Sequence, residues 1–490
     1  MRLFYIYIWE RTITHKIMFE EEEDNQFDDQ FNYELNRFEN MIKYDEAYYF
    51  DPEVLVLIID NYIIKNQLKQ ALVTVEFGAN QHPSHTNFNL KKAQIYSTTG
   101  QLKESLLLLQ TLEKIDPFNS EVHITIANVF SQLRDHKKAI KYYEKALSID
   151  QQSEEHPSEV IEIILDLALE YENLLDFKGA IRVLENLLNS YPDNESAIYE
   201  VAYCYERLGD FDKCIEYYNQ YIDNNPYSFT GWYNLGNIYF LKKDNAKALW
   251  AYEFSILIND DFVSAHFNIG NTYMQTEEFQ KAIDSYQKCL DIDNEDDLTL
   301  CYLAEAYERL ENYELALQYY KKSNELNPNL ADSWLGIGIV LDLQDKTSQA
   351  INFLQEAVNL ETSNASFNLV LGEALFKIER FTEAEIVLER ALQLDKTYTE
   401  AIELLAKIKF EYNINEAIEF LTRTEENHPL ETSPLILLVS LLWYNGNKMD
   451  ALGLFKNQYI QNPKDAIKYL HLHLPEASTI SDFNNIIKPS

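Results

Sequence analysis

Ten histidines, four cysteines and 80 acidic residues are the groups of this 490-residue chain that could ligate a metal or move a proton. A structural or catalytic metal needs three or four such groups converging on one ion, usually announced by closely spaced ligand pairs. Cys204, Cys214, Cys289 and Cys301 form no CxxC pair, His82 and His85 flank a turn, and His471 and His473 fall on different sides of a helix. A phosphate-binding glycine loop, a GxSxG elbow and an HExxH pair are all missing. Among so many carboxylates, proximity singles out no acid–base pair. The chain therefore reads as a non-enzyme with no metal or cofactor, and its thiols as reduced cysteines of a cytoplasmic protein.

The chemistry these residue types do favour is peptide recognition. An asparagine amide both donates and accepts, so it can bond either group of a peptide backbone, while aromatic rings cover side chains. Four stretches combine them: Tyr199, Glu200, Tyr203, Glu206 and Arg207; Tyr233, Asn234, Asn237 and Phe240; Phe267, Asn268, Asn271, Met274 and Gln275; and Cys301, Tyr302, Glu305, Glu308 and Arg309. The bland reading of the same asparagines is that they are solvated polar residues.

Corresponding members of these stretches stand 34 residues apart, and the period runs along nearly the whole chain. Each copy holds two helical patterns. In the first, apolar or small residues recur at slots 4, 7, 8 and 11, as in Trp232, Leu235, Gly236 and Tyr239, which marks one face of a helix. In the second, slots 20, 24 and 27 carry a small, a large and usually a small residue, as in Ala248, Tyr252 and Ser255. The small residues let two helix backbones approach, and the aromatic fills the space beside them. Slot 32 is often proline (Pro83, Pro117, Pro192, Pro226, Pro328, Pro429, Pro463), which cannot continue a helix.

A fixed period of this length marks a solenoid. The pattern resembles the tetratricopeptide repeat slot for slot, with starts at 52, 86, 120, 161, 195, 229, 263, 297, 331, 365, 399 and 432. The resemblance implies an all-α fold, a right-handed superhelix of antiparallel helical hairpins, whose first helices line the concave side. It also implies a protein–protein interaction scaffold or adaptor as the function, with a structural or assembly role, or a regulatory subunit, as the alternative. The exposed slots of the first helices are 2, 5, 6, 9, 12 and 13; slots 2, 5, 9 and 12 share one face by helix geometry alone. The four stretches above occupy those slots in repeats five to eight. In the O-linked N-acetylglucosamine transferases of this family an inner-face asparagine ladder holds a peptide backbone. Asn234 and Asn268 fall in the corresponding slot, but Glu200 and Tyr302 hold it on either side. A carboxylate clamp of the chaperone-binding type is not expected: Asn128, Asn237 and Asn271 hold slot 9, but Ile124, Tyr233 and Phe267 hold slot 5 where a lysine is required.

The formal charge of −39 argues against nucleic acid, which needs clustered Lys and Arg, and against anionic membrane surfaces. It is compatible with solubility alone, or with steering of partners that carry basic segments. No insertion into a membrane is expected: the apolar run Leu3–Trp9 is too short to span one. Residues 1–17 read as the product of an upstream start codon, with Met18 the working start. The acidic run within 1–30 reads as disordered, 31–51 as a capping helix, 52–463 as twelve repeats, and 464–490 as a final helix and polar tail. Two departures stand out. Seven extra residues in Gln151–Val160 should form a longer turn, and the eleventh repeat is one residue short near Asn413–Asn415.

Overall fold

The computed structural model describes residues 23–44, 46–150 and 157–487. Among them are 27 α-helices, one short 3-10 helix and no strand. The chain divides into two compact units, Met1–Pro226 and Tyr227–Ser490.

In the first unit the helix Glu23–Tyr44 precedes five hairpins: Pro52–Ile64 with Leu68–Gln81, Asn87–Thr98 with Leu102–Ile115, Ser120–Gln132 with His136–Asp150, Pro157–Asn173 with Phe177–Ser190, and Glu195–Arg207 with Phe211–Asn224. The second unit holds seven: Phe229–Leu241 with Asn245–Ile258, Val263–Gln275 with Phe279–Ile292, Asp297–Arg309 with Tyr313–Leu326, Ala331–Leu343 with Thr347–Leu360, Ala365–Lys377 with Phe381–Leu394, Thr399–Tyr412 with Ile414–Asn427, and Thr432–Tyr444 with Lys448–Gln461. The helix Pro463–His473, the 3-10 turn Pro475–Thr479 and the helix Ser481–Ile487 follow.

The turn inside every hairpin but the eleventh is set at slot 15. Lys243 there has φ 60°, and the amide of Asp244 donates back to the carbonyl of Tyr239 at 2.9 Å, which closes the helix end with a left-handed residue. Slot 15 takes positive φ in eleven repeats, at Asn66, Gly100, Arg134, Leu175, Gly209, Lys243, Glu277, Glu311, Asp345, Glu379 and Gly446. Only three of these are glycine, so the other eight carry a Cβ in a conformation that disfavours it. The short eleventh repeat lacks this residue. Its Asn413, at φ −163°, both ends the first helix and caps the second by accepting from the amide of Asn415 at 2.9 Å.

In the hairpins of repeats six, seven, nine and ten the helices meet where slot 8 is glycine and has no side chain. A Cβ on Gly236 would lie 2.5 Å from the ring of Tyr252, and one on Gly270 2.5 Å from that of Tyr286, so glycine here makes room for the slot 24 ring. The small residues of the second helix also bond across the hairpin when they carry a polar atom. Ser105 Oγ donates to the carbonyl of Ala93 at 2.7 Å and Cys214 Sγ to that of Ala202 at 3.2 Å, both from slot 20 to slot 8. Ser255 and Ser323 do the same from slot 27 to the carbonyls of Phe229 and Asp297, each at 2.8 Å.

Three expectations are revised. The first helix spans Glu23–Tyr44 and so begins inside the acidic run. Of Gln151–Val160, residues 157–160 are the first turn of a helix; proline suits that place, since its missing N–H would be unpaired there anyway. The remainder, 151–156, and the whole of 1–22, including the proposed alternative start, lie outside the described residues. The final segment is no polar tail: Phe483 is fully buried, between Trp443 at 4.9 Å and Phe455 at 5.2 Å between ring centroids.

Candidate functional site

In the second unit, the first helices of repeats six to eight carry Tyr233, Asn234, Asn237, Phe240, Phe267, Asn268, Asn271, Tyr302, Glu305 and Glu308, all half-buried. The asparagines are not equivalent. Asn237 Oδ1 accepts from the hydroxyl of the fully buried Tyr252 at 2.8 Å and from Nδ2 of Asn268 at 2.8 Å. Asn268 Nδ2 also donates to the Tyr233 hydroxyl at 3.2 Å. Asn271 Oδ1 accepts from the Tyr286 hydroxyl at 2.7 Å, and Asn128 is bonded by Tyr143 in the same way. Slot 9 asparagine and slot 24 tyrosine thus form a brace within the hairpin, repeated three times.

Asn237 and Asn271 therefore do not present whole amides: their carbonyl oxygens are engaged by tyrosines. Asn268 has given its amide hydrogens to repeat six and keeps Oδ1. Asn234 makes no side-chain hydrogen bond among the described residues, so it keeps both. The brace could have been found in the sequence, because Asn at slot 9 coincides with Tyr at slot 24 in all three repeats.

The rings around these amides pack on one another. Phe267 lies edge-on to Tyr302 at 5.1 Å between centroids and 5.7 Å from Tyr286, while Tyr233 is edge-on to Phe262 at 5.0 Å. Met274 joins the same cluster, and Gln275 is exposed. In repeat eight the face turns acidic. Burial raises the carboxyls of Glu305 and Glu308, each opposed by the neighbouring Arg309. Glu308 also accepts the Tyr320 hydroxyl at 2.9 Å. Asp332, at slot 2 of repeat nine, is likewise raised by burial and itself raises Glu305. Cys301 is buried in the core, so it lines nothing; burial raises its thiol, as it does those of Cys204, Cys214 and Cys289.

The repeat-five stretch belongs to the first unit. Tyr203 is exposed and edge-on to Phe177 at 6.4 Å, with Arg207 over the same ring at 5.7 Å. Tyr199 donates to Glu195 at 2.5 Å, and Glu206 is half-buried. Glu172 is pushed up to about 7, by burial first and by Glu200 second, against the thiol of Cys204, which donates to it at 3.4 Å.

Two features escaped the sequence reading. Polar residues pair between neighbouring repeats on this same face. Lys91 sits 2.9 Å from Asp60 and 3.6 Å from Glu121, and Lys377 lies 3.2 Å from Asp342. On the second helix of repeat six, Trp250, Phe254 and Leu257 are exposed, and Trp232 stacks on Phe254 at 4.6 Å. The same slots, 22, 26 and 29, hold Asp284, Lys288 and Asp291 in repeat seven and Gln318, Lys322 and Glu325 in repeat eight.

No helix among the described residues is long and apolar enough to cross a membrane, and no three metal-ligating groups converge there. Models of the tetratricopeptide repeat match residues 120–153, 165–229, 263–296, 299–330 and 343–408. A comparison with curated protein sequences finds no match. Similar solved structures include the APC/C hetero-tetramer Cut9-Hcn1, at 16% identity over 86% of this chain and 95% of the other, with a TM-score of 0.41. Pseudomonas aeruginosa pilF is similar at 18% identity over 41% and 92%, with a TM-score of 0.37. YrrB, a TPR protein with an unusual peptide-binding site, is similar at 20% identity over 38% and 96%, with a TM-score of 0.31.

Proposed function

We propose, for a chain that belongs to the tetratricopeptide-repeat proteins, that it is a non-enzymatic scaffold or adaptor, cytoplasmic, which binds a segment of a partner protein along the first helices of repeats six to eight. The tetratricopeptide repeats support the scaffold role. One observation carries the location. Asn234 keeps its whole amide and Asn268 its Oδ1, on a face otherwise lined by Tyr233, Phe240, Phe267 and Tyr302. An extended segment would give its backbone to these amides and its side chains to the rings. The carboxylates of Glu305, Glu308 and Asp332 would favour Lys or Arg toward repeat eight, in keeping with the charge of the whole chain. In the first unit, Tyr199, Glu200, Tyr203 and Glu206 offer a similar combination for a second segment.

The test is affinity capture with crosslinking mass spectrometry, comparing wild type with the Asn234→Ala, Asn268→Ala double variant. Loss of one partner whose crosslinks lie on repeats six to eight is the expected result. Retention of that partner, with crosslinks confined to the second helices, refutes the location. The exposed Trp250, Phe254 and Leu257 favour a second reading, assembly through the second helices. A stable oligomer in partner-free sedimentation, dissolved by Trp250→Glu, would select it.

A further inference from the structure

The last repeat differs from the others in what lies on its first helix. Between consecutive repeats within each unit, a new first helix packs chiefly on the preceding second helix and only lightly on the preceding first. After repeat twelve this is reversed: Pro463–His473 packs more on Thr432–Tyr444 than on Lys448–Gln461. The contacts on Thr432–Tyr444 fall on the slots that form the candidate site elsewhere, while the closing helix Ser481–Ile487 packs on Lys448–Gln461, with Phe483 against Phe455 and Tyr459 donating to the carbonyl of Ile487 at 3.2 Å. His473 Nε2 is 3.4 Å from Oγ of Ser433 (slot 2), Phe483 meets Trp443 (slot 12), and Tyr444 (slot 13) donates to Glu476 at 2.7 Å. Ser433, Ile436, Leu437 and Ser440, at slots 2, 5, 6 and 9, are all buried, whereas Glu403, Leu404 and Lys407, at slots 5, 6 and 9 of repeat eleven, are not.

We propose that the first-helix face of repeat twelve is a helix-binding site kept filled in cis by residues 463–487, and that an amphipathic helix of a partner protein can take their place. Two properties support exchange over a permanent seal. The covering segment has few fully buried anchors: over 25 residues only Ala466, Leu470, Leu474, Ala477 and Phe483 are buried, with Tyr469, Ile480, Ile486 and Ile487 partly buried against the same core. Its closing helix, Ser481–Ile487, has seven residues, too few to hold together by itself. The helix beneath is the opposite, with ten consecutive buried residues from Ser433 to Leu442, enclosed by its neighbours on every side. So apolar a helix cannot stand uncovered in water, and release must be coupled to replacement. The stripe Ala466, Leu470, Leu474, spaced by four, states what the replacement must present: small and branched apolar residues on one helical face. The proposal does not depend on repeats six to eight binding anything.

The test uses the full chain and a fluorescent synthetic peptide of residues 463–487. Phe483→Asp and, separately, Leu470→Asp should loosen the cis segment. Each variant is expected to bind the peptide at least tenfold more tightly than wild type by anisotropy. Hydrogen exchange of repeats six to eleven should stay unchanged. In wild type, amides of 463–487 should exchange at least tenfold faster than those of 432–444. Equal protection of the two segments overturns the proposal. So does failure of both variants to bind while repeats six to eleven stay protected, or collapse of that protection in both, which would make the segment an integral part of the solenoid.

Discussion

Asn237 should be a structural residue although it lies among the candidate binding residues, and the energies can be worked from its bonds. Asn237→Ala leaves the hydroxyl of Tyr252, whose side chain is fully buried, without its acceptor, and takes one of two acceptors from Asn268. An unsatisfied buried hydroxyl costs about 1–3 kcal/mol, and the half-buried Asn268 recovers most of its loss from water. Alanine returns about 0.5 kcal/mol through helix propensity. The net is about 2 kcal/mol. Tyr252→Phe removes the hydroxyl with its need for an acceptor and should cost about 1 kcal/mol. The double variant should cost about 2 rather than 3 kcal/mol, a coupling of about 1 kcal/mol. Asn234→Ala, which breaks no intramolecular bond, should stay within about 0.5 kcal/mol. A long repeat array does not unfold in one step, so the assay is native-state hydrogen exchange of residues 229–275. Asn237→Ala should speed exchange there about thirty-fold, at about 1.4 kcal/mol per decade. Additive effects of Asn237→Ala and Tyr252→Phe, or equal effects of Asn234→Ala and Asn237→Ala, would refute the brace.

Gly236→Ala forces a methyl to 2.5 Å from the Tyr252 ring and should destabilise repeat six by about 1–3 kcal/mol, read from the same amides. Leu175→Gly relieves a branched residue at φ 60° and should stabilise repeat four by about 1 kcal/mol; slower exchange in 157–190 is the check. Because burial lifts Glu172 from 4.5 to about 7, its folded form holds a proton that the unfolded chain releases. That contribution is complete below about 4.5 and disappears as pH rises through about 7, so repeats four and five should open more readily at pH 8 than at pH 5. Glu172→Gln should flatten this dependence. All four thiols are buried and held up by burial, so an alkylating reagent should modify them only as fast as the helices open, and a fast-reacting thiol would contradict the packing.

Periodicity alone determined the fold class and the hairpin that repeats, because each repeat buries its face only against its immediate neighbours. The small residues at slots 8 and 20, the ring at slot 24 and the short eleventh repeat are local devices, each readable from one copy of the motif. What tertiary structure decided is the availability of side chains. Asn234 and Asn268 are the same residue in the same slot, yet only one keeps its whole amide, because repeat six offers Asn237 and Tyr233 to Asn268. Hydrogen-bond partnership depends on the side chain opposite, which lies 31 or more residues away. Residues 463–487 show the same division: the spacing of Ala466, Leu470 and Leu474 marks a helix, but its seat on the first helix of repeat twelve follows from the need of the apolar helix Thr432–Tyr444 to be covered.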